Sequence, residues 1–135
     1  MNFLKWFLRT LCKKLYRVEL IGLENFEKAG NRVLIVSNHT SFLDAILLSV
    51  FLPGTITFAI DRVISQNPLL KPLLSLAKLF PMDPTNPLSI KSLIRYLQKD
   101  NIAVIFPEGR ITVTGSLMKI YDGTGLVAIK SKATV

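Results

Sequence analysis

The 135-residue chain has a single cysteine, a single histidine and a single tryptophan. With Cys12 alone, no disulfide can close within the chain and no cysteine-based zinc motif can be built. A reducing, cytoplasmic side is the expected setting, and Cys12 is expected to pack rather than to react. A long apolar run is also missing. The longest uncharged stretch, Ala45 to Ile60, is sixteen residues and is broken by Pro53-Gly54. A spanning helix needs about 20 apolar residues, so this stretch is not read as a simple membrane span. Acids are absent from the first seventeen residues, where Lys5, Arg9, Lys13, Lys14 and Arg17 stand unbalanced. The other 118 residues carry twelve bases and nine acids, so most of the net charge of +8 belongs to the N-terminus. Its bases alternate with apolar residues instead of preceding an apolar core, which argues against a signal peptide. No nucleic-acid-binding signature is present. The basic excess is therefore read as facing anionic lipid or an acidic protein partner, with no nucleic acid.

What is present is half hydrophobic, enough for one domain and not two. Residues 1–16 read as an amphipathic helix with Phe3, Leu4, Phe7, Leu8, Leu11 and Leu15 on one stripe and bases outside it. That pattern suits an anionic membrane interface, and it equally suits a helix docked on the domain's own core. From residue 17 to 135 the pattern alternates. A short strand is expected at 17–22, a polar connection at 24–30 and a buried strand at 32–37. A helix is expected from Ser41 to about Leu52, with Ser41 as N-cap and Asp44 in the capping-box position. Strands are expected at 55–60, 79–82 and 102–106, and helix in two pieces at 62–78, divided near Asn67-Pro68. Asn86 and Pro87 are suited to cap and open another helix, whose buried face would be Leu88, Ile90, Leu93, Ile94 and Leu97. A last helix is expected near 125–130, and Thr134-Val135 reads as the start of a further strand. Strands alternating with helices imply an α/β domain, a layered sheet with helices packed on it.

Two loops carry chemistry. His39 follows the apolar strand at its C-terminal end, where α/β sheets collect ligands. Asp44 lies five residues on. A carboxylate there can fix the imidazole tautomer and stabilise the imidazolium while the other nitrogen takes a proton. The second loop, Phe106-Pro107-Glu108-Gly109-Arg110, also follows a buried strand. Gly109 permits close backbone approach and Arg110 suits bidentate phosphate contact. A hydrolase using His39 and Asp44 would need a nucleophile, and neither Ser37 nor Ser41 lies in a nucleophile-elbow pattern.

Asn38-His39-Thr40-Ser41-Phe42-Leu43-Asp44 resembles the His-four-residues-Asp motif of the glycerolipid acyltransferase family, and Phe106 to Arg110 resembles its Phe-Pro-Glu-Gly motif. The resemblance covers roughly residues 17–135. Leu79 to Thr85 and Phe106 to Gly125 look most like the acyltransferase region of the bifunctional 2-acylglycerophosphoethanolamine acyltransferase/acyl-carrier-protein synthetases. The resemblance implies acyl transfer from an acyl carrier protein or coenzyme A thioester to a glycerophospholipid hydroxyl, with no metal and no other cofactor. It assigns His39 and Asp44 to catalysis and Glu108, Gly109 and Arg110 to substrate binding, Glu108 either shaping its loop or touching substrate. It further implies a peripheral or monotopic place on the cytoplasmic face of a membrane, with phospholipid as partner. There are departures. Pro84 stands where many members have an arginine, and Arg110 follows Gly109 without the usual intervening residue. Fewer phosphate-binding cations suit a phosphodiester, and hence 2-acyl-lysophosphatidylethanolamine. The family continues beyond Val135, so the domain is expected to be incomplete at its C-terminus, and a catalytically inactive membrane-binding fragment is the alternative reading.

Overall fold

A computed structural model of the chain describes residues 3–68, 75, 77–83 and 86–135. The helices are α1 (Phe3–Tyr16), α2 (Leu23–Lys28), α3 (Leu43–Phe51), α4 (Arg62–Ser65), α5 (Pro87–Leu97) and α6 (Gly123–Ser131). The strands are β1 (Val33–Val36), β2 (Ile56–Asp61), β3 (Lys78–Met82) and β4 (Ile102–Ile105). Among the described residues these four strands pair in parallel, in the order β1-β4-β2-β3, so β4 lies between β1 and β2. This is the expected α/β layered sheet.

Parallel strands are buried on both faces and alternate their side chains between them. Leu34, Ala103, Ala59 and Phe80 point to the face covered by α5 and α6, where they meet Leu93, Leu97 and Val127. Ile35, Val104, Ile56 and Phe58 point to the face covered by α3, where they meet Ala45 and Leu48. Thr57, on the first face, is buried and satisfies its hydroxyl on Tyr96 Oη at 2.8 Å. Outside α3 a further layer is formed by α1, through Leu8 and Cys12 against Val50, Phe51 and Leu47. Arg9 lies over the Phe51 ring, 5.4 Å from its centre.

The N-terminal helix docks on the domain through Leu8, one member of its stripe, and through Cys12, whereas the other members, Phe3, Leu4, Phe7, Leu11 and Leu15, are exposed, Phe3 at 78%. None of the described helices is long and apolar enough to cross a membrane.

Several local expectations change. Residues 17–22 form no strand, because β1 has no room for them: its outer edge carries a parallel bridge from Val33 to Thr134, with Leu34 N–H donating to Thr134 O at 2.8 Å. Leu20 and Ile21 stay exposed, and Arg17 turns the backbone with φ 49°. The polar connection at 24–30 is instead α2, entered through Gly22 at φ 76°. Of the helix expected at 62–78, only the single turn Arg62–Ser65 lies at its start, and residues 69–74 and 76 lie outside the described residues. The cap of α5 is as expected, Asn86 Oδ1 accepting from Leu88 N–H at 2.9 Å with Pro87 in the first turn. Leu88 itself is exposed, since Ile90, Leu93, Ile94 and Leu97 already form the stripe that faces the sheet.

Leu34 and Leu93 are fully buried in one cluster. Leu93→Ala removes apolar area and leaves a cavity, so it is expected to cost about 2–5 kcal/mol, read as a lowered midpoint in urea unfolding with little change of slope.

Candidate functional site

The site is made by the register between β1 and β4. Val36 pairs with Ile105, and Ser37 N–H donates to Ile105 O at 3.2 Å. His39 and Glu108 each stand three residues past this paired end. They meet there although they are 69 residues apart in sequence: His39 N–H donates to Glu108 Oε1 at 2.9 Å. The opposite end of the sheet holds a cavity of about 250 Å³ lined by Lys5, Ser49, Ile56 and Lys78, which is remote from this chemistry.

The loop from His39 folds back on the start of α3. Asp44 Oδ2 lies 3.0 Å from His39 Nδ1 and also accepts from Thr40 N–H at 2.7 Å and Ser41 N–H at 2.9 Å. Asp44 thus forms the reach-back half of the expected capping box. Ser41 Oγ accepts from Leu43 N–H at 3.1 Å. Both side chains of the His39–Asp44 pair are partly exposed, at 17% and 16%. Burial raises the Asp44 carboxyl and is the largest single influence on it. The bonds from Ser41, His39 and Thr40 together outweigh it and hold the group below its ordinary value. A carboxylate can only accept, so the proton in this bond is carried by Nδ1. The imidazole also stacks on Phe106, with centroids 4.0 Å apart and planes 15° from parallel, and Phe106 in turn stacks on Phe58 at 6.5 Å. The ring is held at its edge by Asp44 and on its face by Phe106.

Of the two roles left open for Glu108, shaping its loop or touching substrate, its geometry fits the first, since it is only 2% exposed. Its Oε1 accepts from His39 N–H and its Oε2 from Met118 N–H at 2.9 Å. The bond from His39, followed by that from Met118, holds its carboxyl below the ordinary value against the opposing effect of desolvation. Glu108 is therefore a clamp between two loops, with no face turned to solvent. Gly109 and Arg110 do lie at the surface. Gly109 closes a turn on Phe106 O at 3.0 Å and has φ 67°, a left-handed conformation that suits glycine. A Cβ there would meet the Tyr121 ring at 3.4 Å. Arg110 makes no hydrogen bond or ion pair among the described residues, so its guanidinium is unspent.

Three contributions to the site follow from the fold rather than from residue type. Thr112 and Met118 act through backbone N–H groups, Thr112 donating to His39 O at 2.8 Å, and a backbone donor leaves no trace in residue type. Phe106 was legible as part of a motif, but its stacking on the imidazole follows only from strand order. Among the described residues no group of His, Cys, Asp and Glu is arranged to hold a metal ion.

A sequence model of the family described as acyltransferase matches residues 17–135. A 1-acyl-sn-glycerol-3-phosphate acyltransferase of Cocos nucifera is 32% identical over 121 residues, covering 85% of this chain and 39% of that protein. A protein of the same description from Limnanthes alba is 33% identical over 120 residues, covering 84% of this chain and 41% of its own length. The chloroplastic 1-acyl-sn-glycerol-3-phosphate acyltransferase of Arabidopsis thaliana is 29% identical over 124 residues, with 35% of its length covered. The chain thus spans about two-fifths of the curated relatives it matches. No solved structure matches.

Asp44 and Glu108 both have carboxyls depressed in the folded state, so their contribution to stability is present above the unfolded value and lost as pH falls through the folded one. Thermal unfolding is therefore expected to shift to lower temperature as pH drops below about 4. Glu108→Gln is expected to flatten that acid-side slope, measured by circular dichroism across the pH series. The same variant is expected to loosen His39, because the amide would set an N–H against an N–H donor at one of its two partners.

Proposed function

Because the chain belongs to the acyltransferase family, we propose that it transfers a fatty acyl group from a thioester to the free hydroxyl of a lysophospholipid at a membrane surface. The observation that carries this reading is the bond from His39 N–H to Glu108. It joins the His39–Asp44 pair to the loop bearing Arg110, so a proton acceptor and an unspent phosphate-binding cation share one end of the sheet.

The acceptor's phosphate is held by Arg110, with the backbone at Gly109 leaving room beside it. His39 Nε2 takes the hydroxyl proton as the oxygen attacks the thioester carbon. Asp44 supports the imidazolium so formed and keeps Nδ1 protonated. The tetrahedral oxyanion collapses with cleavage of the carbon–sulfur bond, and the departing thiolate takes the proton back from Nε2. No acyl-enzyme is needed, since the hydroxyl attacks the thioester directly. The donor is an acyl carrier protein or coenzyme A thioester, an acidic partner for a chain of net charge +8. The exposed stripe of α1, with Lys13 and Lys14 at its last turn, lies on an anionic bilayer on the cytoplasmic side.

Two acceptors are favoured by different observations. The cation count, with Pro84 at one family arginine position, favours the phosphodiester of 2-acyl-lysophosphatidylethanolamine. The names of the relatives favour the phosphomonoester of 1-acyl-glycerol 3-phosphate. Head-group competition in mixed vesicles separates them, and preference for the monoester would overturn the argument from cation count.

The test is transfer of a labelled acyl group from acyl carrier protein or coenzyme A to lysophospholipid in vesicles. His39→Ala is expected to lower turnover by about 10²–10⁴-fold with unfolding unchanged. Asp44→Asn is expected to lower kcat, whereas Arg110→Ala is expected mainly to raise KM for the phospholipid. Turnover undiminished in His39→Ala would overturn the reading.

A further inference from the structure

The segment that follows the second motif is exposed, apolar and fixed in place. Val113 is 87% exposed, Leu117 65% and Ile120 50%. Scattered single apolar residues at a surface need no explanation, but this is a group concentrated on one short loop. The loop is held at several points. Thr112 N–H binds His39 O at 2.8 Å, Thr112 Oγ1 binds Ser116 O at 2.8 Å, Met118 N–H binds Glu108 at 2.9 Å, and Tyr121 N–H binds Pro107 O at 3.0 Å. Val113 and Leu117 are each one residue from a backbone bond that ends on His39 or Glu108. Phe42, 54% exposed, is three residues from His39 on the other loop. These side chains therefore project from segments bonded to the His39 loop, on a scaffold already held at several points, so that little loop ordering would oppose their burial.

The charge on this loop has one sign. Arg110 and Lys119 are exposed, and no acid lies between the buried Glu108 and Asp122. Apolar tips flanked by bases match the interface of an anionic bilayer, where apolar groups enter the acyl boundary and cations stay with the head groups.

We propose that residues 110–121 form a second lipid-contact surface, separate from α1, which inserts Val113, Leu117 and Ile120 into an anionic bilayer and seats His39 at head-group level. This rests on the reading that the acceptor is a membrane lipid. It adds that the site itself touches the bilayer, so the acceptor hydroxyl reaches Nε2 without leaving the membrane.

The test uses the full chain and the fact that Trp6 is its only tryptophan. In a Trp6→Phe/Val113→Trp variant, the indole is expected to shift to the blue on vesicles of phosphatidylcholine with 30 mol% phosphatidylglycerol, as a chosen mixture, and to be quenched by brominated acyl chains. The shift is expected to weaken on pure phosphatidylcholine and at about 1 M salt, where screening is near complete beyond 3 Å. An indole that stays open to aqueous iodide on vesicle-bound protein would overturn the proposal. So would an indole already shielded without lipid, which would mark the loop as covered by another part of the protein or by a second copy. These readouts need no turnover and so stand apart from the activity assay. In that assay, Val113→Asp/Leu117→Asp is expected to lower transfer to vesicle-embedded acceptor at least tenfold, and to leave transfer to a monomeric short-chain acceptor within twofold. An equal loss on both acceptors would make the loop a structural support of His39 and overturn the proposal.

Discussion

The Glu108 carboxylate is the point on which the site depends. It sits between two backbone N–H groups, those of His39 and Met118, and it is almost entirely shielded from water. Removing such an acceptor would leave two donors competing for nothing, which is why a buried carboxylate with two partners fixes backbone so effectively. One of those donors belongs to the residue that carries the imidazole. The other belongs to the loop that carries the exposed apolar tips and follows the free arginine. A single side chain thereby sets the spacing between the imidazole, the arginine and the exposed loop, although it turns no face to solvent itself.

Around that clamp the imidazole is held by unlike means. Asp44 fixes it through a charged hydrogen bond and is itself fixed by two backbone donors from Thr40 and Ser41. Phe106 fixes it by stacking, and Phe106 leans on Phe58 inside the sheet's core. The ring orientation is thus tied to both the start of α3 and the packing of β2 and β4. This is a site built on rigid elements rather than on free loops, as orientation-sensitive chemistry requires.

The readable part of the structure was the part governed by local pattern. The apolar runs at 33–36 and 102–105 declared themselves as buried strands, and Asn86-Pro87 declared a helix start, because each depends on neighbouring residues alone. The residues at 17–22 alternate like a strand and are not one, since pairing needs an open edge and Thr134 occupies it. Leu88 was misplaced because a helix stripe can be completed without its first-turn member. At the site, the approach of Asp44 to His39 was legible from the loop that joins them. Which of its two readings Glu108 would take was not, because whether a carboxylate faces substrate or backbone is decided by the register of two strands distant in sequence. The stripe of α1 was legible, but not that Leu8 alone among its members would dock, together with Cys12 beside it.

The strand order has a consequence for how the protein comes into being. β4 is made after β1, β2 and β3 and lies between β1 and β2, so β1 cannot meet its partner, nor β2 its second one, until more than a hundred residues of this sequence have been synthesised. A nascent chain carries the His39 loop with no partner to organise it, along with an unpaired apolar strand on either side of the gap. Contacts spanning 69 residues are slow to close and leave such edges open to misassociation meanwhile. The same insertion brings Ala103 and Val104 into the core and delivers Glu108 to His39, so the packing of the sheet and the assembly of the site are coupled.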